Sequence, residues 1–271
     1  MMTIGVIRAI AASVFRESVR DKVLYNLVFF AVLLIAASYL LSQLTAGQDM
    51  KVIKDLGLAA MSLFGLFIAV FIGIGLVSKE VEKRSIYALL AKPIRRQEFV
   101  VGKYAGLLLT LFVNLAIMTA AYYAVLGTVA WIDGAWFRPH WEAPAVDPAL
   151  LKAIAMIFLQ LAIVVAIALF FSTFSSPMLS AALTFGLYIV GHFNADLRNF
   201  EKVIDSRPIA YAARALYYVL PNLAPLDIKS DVVHAIHVPA AYLFLNTAYS
   251  VLYIGILVSS AAFIFGRRDF K

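Results

Sequence analysis

The 271-residue chain contains no cysteine, which excludes disulfides, thiolate metal sites and cysteine nucleophiles. Charge is scarce: Asp, Glu, Lys and Arg make up 14% of the residues, against about 25% in an average soluble domain. No Gly-x-x-x-x-Gly-Lys-Ser/Thr stretch occurs, so the chain has no phosphate loop of its own. No His-Glu-x-x-His motif occurs either. None of the long apolar stretches carries an Asp, Glu, Lys or Arg. Proton-coupled transporters and intramembrane enzymes place such groups inside the bilayer at a cost of about 2.5–3.5 kcal/mol. Their absence argues against a proton relay, a voltage sensor and an intramembrane protease.

What is abundant is apolar surface. Hydrophobic residues make up 63% and the mean hydropathy is +0.89. A water-soluble monomer could not hide that much apolar surface. The composition excludes a secreted enzyme, a disordered chain and a soluble dinucleotide-binding domain. The net charge of +7 would suggest nucleic acid in a soluble protein. In a membrane protein it reads as basic loops held against an anionic leaflet, so no nucleic-acid partner is expected.

A membrane-spanning helix needs about 20 mostly apolar residues. Six stretches qualify: 23–44, 56–78, 104–132, 153–174, 177–195 and 238–266. The expected fold class is therefore all-α, a polytopic membrane protein with six transmembrane helices in one domain, 1–271. Only Ser175 and Ser176 separate the fourth and fifth stretches, and Pro177 fits a first helical position. That predicts a tight hairpin, with Ser176 able to cap its second helix. The first stretch is 22 residues long, whereas the apolar region of a signal peptide has about 7–15. It is read as a retained span.

Orientation follows the basic residues. With the N-terminus inside, the inner segments hold 14 of the 23 Lys and Arg. Both termini are expected in the cytoplasm, in the inner membrane of a prokaryote. Trp131, Trp136 and Trp141 cluster at one outer boundary, where tryptophan prefers to sit.

Residues 3–22 have an amphipathic pattern. Ile4, Ile7, Ile10, Ala11, Val14, Phe15 and Ser18 share one face, and Arg8, Ser13, Arg16, Glu17 and Arg20 the other. Such a helix lies in the membrane interface with its arginines near lipid phosphates. It is either a passive anchor or a rod that transmits motion to the first span. The inner connection 79–103 has 25 residues and ten charges. Its residues 85–91 can form a short helix with Ile86, Leu89 and Leu90 on one side, ended by Pro93. Held across a membrane face, it is suited to docking in a groove. An ordinary basic loop is the plainer reading.

The outer segment 196–237 is predicted to hold a charged helical stretch at 196–205 and a second at 209–220, broken by Pro221 and Pro225. The second is either an interfacial cap or a re-entrant segment. His140, His192, His234 and His237 all fall at or beyond the outer face and read as solvated; no metal site is expected. Gly65, Ala69 and Gly73 form a small-residue face for close helix approach, within one chain or between two copies. Asn114, Gln160, Tyr188 and Asn246 are the polar residues within spans, either packing contacts or part of a pathway.

The loop carries a resemblance. Glu82-Lys-Arg-Ser-Ile, Leu89-Leu90-Ala-Lys-Pro93-Ile-Arg95-Arg96 and Glu98-Phe-Val-Val-Gly102-Lys103 resemble the signature of type-2 ABC exporter permeases. The Lys-Pro-Ile-Arg variant, Tyr217-Tyr-Val-Leu-Pro221-Asn222-Leu223 and Asp231-Val-Val-His234 are similar to the branch labelled multi-copper enzyme maturation permease. Many relatives have Gly-Thr where this chain has Arg84-Ser85, so the local turn differs.

The resemblance implies a non-enzymatic permease subunit, paired with a second copy of itself or a paralogue. A separate ATPase would carry the ATP and Mg, and this chain would hold no cofactor. Glu80, Glu82, Arg84, Ile86, Leu89, Leu90, Pro93 and Arg95 would couple to that ATPase. Arg8, Phe15, Arg16 and Arg20 would belong to a connecting helix beside it. Substrate would pass between two permeases near the first, second and fifth spans. Two other classes stay open: a non-transporting membrane scaffold of a maturation or secretion assembly, and an ATP-independent secondary transporter.

Overall fold

The computed structural model describes residues 2–43, 49–82, 95–132, 146–193, 217 and 219–267. Among these residues every regular element is helical. In chain order they are α1 (Met2–Val19), α2 (Lys22–Ser42), α3 (Asp49–Glu82), α4 (Arg96–Ile132), α5 (Leu150–Ser172) and α6 (Pro177–His192). A 3-10 turn (Ala224–Leu226), the short α7 (Lys229–Val233) and α8 (Ala240–Arg267) follow. Five helices are long and apolar enough to cross a membrane: α2, α5, α8, and the portions Met50–Ile74 of α3 and Gln97–Ile132 of α4. The sixth, α6, has 16 residues, about 24 Å of helix against a hydrocarbon core of about 30 Å.

α5 forms the centre. Its residues 161–169 are buried without a break, as expected of a helix that is hydrophobic all round. α3 and α8 pack along it, and α4 and α6 touch it. α2 lies against α3 and α4 with a single buried stripe of Leu24, Ala31, Ile35, Ser38 and Ser42. Its other face leaves Phe29, Phe30, Leu33 and Leu34 exposed.

Alternation of the helices gives the bundle two ends. One carries α1, the start of α4, the α5–α6 turn and the end of α8. The far end carries the starts of α3, α5 and α8 and the 220–239 segment.

Local sequence explains the boundaries. Asp21 caps α2, its Oδ1 accepting from the Val23 amide at 3.0 Å. Pro177 opens α6 as expected, but Ser176 makes no side-chain cap. The turn is closed instead by the Ser175 and Ser180 hydroxyls, 2.6 Å apart. α3 begins well before the predicted 56, because Lys54, expected in an outer connection, is buried at 2% exposure. Tyr122 of α4 donates its hydroxyl to the Lys54 carbonyl at 3.1 Å.

The amphipathic helix expected at 3–22 is α1. Its apolar side is laid on α4, with Val14 and Ser18 buried, while Arg8, Arg16 and Arg20 stay exposed.

Of the 196–237 segment, the predicted helix at 196–205 and most of that at 209–220 lie outside the described residues. The rest is folded inward. Leu223, Leu226, Ile228, Val232 and Val233 are buried.

Candidate functional site

At the α1 end two glycines one turn apart make a seat for α1. A Cβ on Gly102 would stand 2.8 Å from Ile10 Cβ and 3.2 Å from the Ile7 carbonyl oxygen. One on Gly106 would stand 2.7 Å from the Ala11 carbonyl oxygen. The two helices therefore touch backbone to backbone, in the same chain direction. Beside the seat Lys103 is buried at 1% exposure with its Nζ 4.6 Å from the centre of the Phe99 ring. Phe99 stacks in turn on Phe265 of α8, with centroids 5.6 Å apart. Apolar stems and a cation on a ring face let a lysine sit in such a place. The base of α4 is thus tied to both α1 and α8.

Of the residues assigned to coupling, Glu80, Glu82 and Arg95 fall within the described residues. Glu80 and Glu82 fall in the last turn of α3, and Arg95 directly precedes α4. The Glu98 carboxylate accepts from the Arg95 amide at 3.4 Å, placing an acidic group at a helix N-terminus. Arg84, Ile86, Leu89, Leu90 and Pro93 lie outside the described residues. Phe15 of the connecting helix is half-buried.

Gly65, Ala69 and Gly73 run along the α3–α5 seam. Gly65 is filled by the Leu161 side chain, and a Cβ on Gly73 would stand 2.5 Å from Ala168 Cβ. Ala69 is fully buried. This face is used within one chain.

The four polar residues divide into two pairs. Asn114 and Asn246 donate to carbonyls of their own helices, Thr110 at 2.8 Å and Tyr242 at 3.0 Å. Gln160 and Tyr188 converge through a residue that was read as solvated, His192. The Gln160 amide nitrogen lies 2.7 Å from His192 Nε2, and His192 Nδ1 lies 2.9 Å from the Tyr188 carbonyl. The Tyr188 and His192 rings meet edge to face at 4.5 Å. Gln160 is 1% exposed.

The Gly102–Gly106 seat was readable in principle, since Gly-x-x-x-Gly stands in the sequence. His192 was not, because nothing local says that α6 stops inside the bundle. Among the described residues no cluster of His, Asp or Glu could hold a metal ion.

A helical bundle with five membrane-length helices defines a multi-pass membrane protein. The chain belongs to the ABC-2 transporter family: the family model described as ABC-2 family transporter protein matches residues 8–197. It is an ABC transporter permease, matched from α1 through α6. No curated protein sequence matches the chain.

Proposed function

We propose that the chain is the permease half of an exporter, with the α1 end in the cytoplasm of a prokaryotic cell and both termini inside. Two copies, or one copy and a paralogue, form the path, and a separate ATPase subunit supplies ATP hydrolysis. The permease itself performs no catalysis.

The observation that carries this reading is the joint at the α1 end. α3 runs on to Glu82, past the apolar stretch that ends at 78, and α4 starts at Arg96. The 83–94 connection, which lies outside the described residues, joins these two helix ends. The α4 base is locked to α1 through Gly102 and Gly106. A push on the 83–94 loop is then delivered to α3, α4 and α1 together. Exposed apolar side chains on α2, α6 and α8 supply the lipid-facing and partner-facing surface that a dimer needs.

Co-purification with candidate ATPase subunits, followed by ATP hydrolysis in lipid nanodiscs with and without the chain, tests the reading. A complex with two copies of each, whose turnover changes with the permease, is the expected result. A chain that leaves the partner's turnover unchanged is a scaffold; transport without any ATPase is secondary transport.

A further inference from the structure

α6 ends deep in the bundle. Its last residue, His192, meets Gln160, ten residues into α5, or about 15 Å along that helix. The 219–226 segment descends to the same depth. Its Leu223 amide donates to the Gly191 carbonyl at 2.9 Å. Tyr249, nine residues into α8, accepts from the Asn222 amide at 2.8 Å, and Tyr253 donates to the Val219 carbonyl at 3.1 Å. Rulers on α5 and α8 agree within a turn. Non-helical backbone at membrane depth is tolerated only where it is buried in protein or lines a polar cavity. Interrupted helices there are a recurrent place for transported molecules.

The floor of this inward dip has surplus acceptors. His192 Nδ1 faces the Tyr188 carbonyl, and in the tautomer with the proton on Nδ1 its Nε2 accepts from the Gln160 amide nitrogen. That tautomer leaves the Gln160 Oε1 turned away from His192. Gln160 Oε1 is buried with no hydrogen-bond partner. So is Asn222 Oδ1, one residue from the Leu223–Gly191 contact. Among the described residues only one other buried side-chain atom, Ser18 Oγ, shares that condition. Two of these three atoms, both amide carbonyl oxygens, therefore flank one junction, and each lacks a donor. Beside them the outward face of α6 leaves Ile189, Val190 and Phe193 exposed.

We propose that this junction is a binding site for the head of an amphiphile bearing O–H or N–H donors, its tail lying along Ile189 and Phe193. The inference rests on reading the chain as a permease and names the substrate class its path would favour. A membrane lipid and a transported amphiphile share this chemistry.

The test uses the full chain in phosphatidylcholine nanodiscs with two probes, 1-dodecanol and its methyl ether. They share the chain and the ether lacks the donor, a methyl replacing the hydroxyl hydrogen. The alcohol should raise the Tm and shift the Gln160 side-chain amide resonance, and the ether should do neither. In the Gln160→Met variant, and separately in Asn222→Leu, the apparent Kd for the alcohol should weaken about tenfold, the loss of one hydrogen bond to a buried group. An alcohol effect that disappears in phosphatidylethanolamine nanodiscs identifies a lipid head as the occupant. One that persists there identifies a transported amphiphile. Equal responses to alcohol and ether, as when water alone serves the two carbonyls, overturn the proposal. So does donor selectivity that survives both substitutions. None of these measurements needs an ATPase, so failure here leaves the permease reading standing, and failure of ATPase coupling leaves this site standing.

Discussion

Gly106 and Ala11 bring the backbones of α4 and α1 into contact, with the Ala11 carbonyl oxygen 2.7 Å from where a Cβ on Gly106 would be. Interfaces between membrane helices gain little from hydrophobicity, because lipid tails are as apolar as leucine, so close backbone approach carries the packing. Gly106→Leu should force α1 off its seat. An overpacked contact costs about 1–3 kcal/mol, which should appear as a lower Tm in nanodiscs. Gly106→Ala should cost less, and a Tm unchanged by leucine would show that α1 is not seated there.

The α3–α5 seam gives the opposite kind of result from a dimer contact. Gly73→Leu drives a side chain into Ala168. It should lower the stability of each chain by a similar amount, about 1–3 kcal/mol, without changing the number of chains per complex. Native mass spectrometry beside thermal unfolding separates the two. Dissociation into intact monomers would place the glycine face between copies.

At the far end, tyrosine hydroxyls tie the inward segment to α8. Tyr242 donates to the Pro225 carbonyl at 2.8 Å. Tyr242→Phe removes a contact worth about 0.5–1.5 kcal/mol. Amide hydrogen exchange should rise at Leu226 and Asp227, whose amides close the 3-10 turn, while the α5 core stays protected. A uniform rise across the chain would mean the bond holds the whole fold.

Gln160 and His192 link α5 to the end of α6. Gln160→Met keeps the shape and loses the 2.7 Å contact. Interhelical hydrogen bonds in membranes contribute roughly 0.6–2 kcal/mol, so unfolding should show a loss of that order. The same substitution at Asn114, which bonds only its own helix, should cost less.

The span positions were legible because bilayer thickness fixes a length, and uncharged runs of that length stand out. α2 runs 22–42 against an expected 23–44, and α5 runs 150–172 against 153–174. Packing partners were not legible, and the reason is physical. Leu33 faces outward and Ile35 is fully buried, yet both are equally apolar, so hydropathy cannot separate lipid from protein. The same ambiguity left the packing of part of the α1 apolar face on α4 unread. Lys54 misled for a different cause: a charge marks a helix end only when its stem has no protein to lie on, and Tyr122 and α4 supply that protein. His192 was read as solvated because the depth at which α6 stops is set by the inward 219–226 segment, which no local pattern announces. The residues assigned to coupling rest on the pattern of the 79–103 connection and on family resemblance, and their docking role is a proposal.

Leu89→Asp together with Leu90→Asp should leave the helices folded and abolish the permease's effect on partner ATP turnover. Normal stimulation by the double variant would remove the loop from the coupling path.

The central claim is that an ATPase docks on the 83–94 loop. Because the chain has no cysteine, a single cysteine introduced at Ser85, and in a separate variant at Thr128 near the far end, carries a photo-crosslinker to one place only. The account predicts a crosslink to the ATPase subunit from position 85 and none from position 128. Crosslinking from 128, or none from 85 in a complex that still hydrolyses ATP, would contradict it.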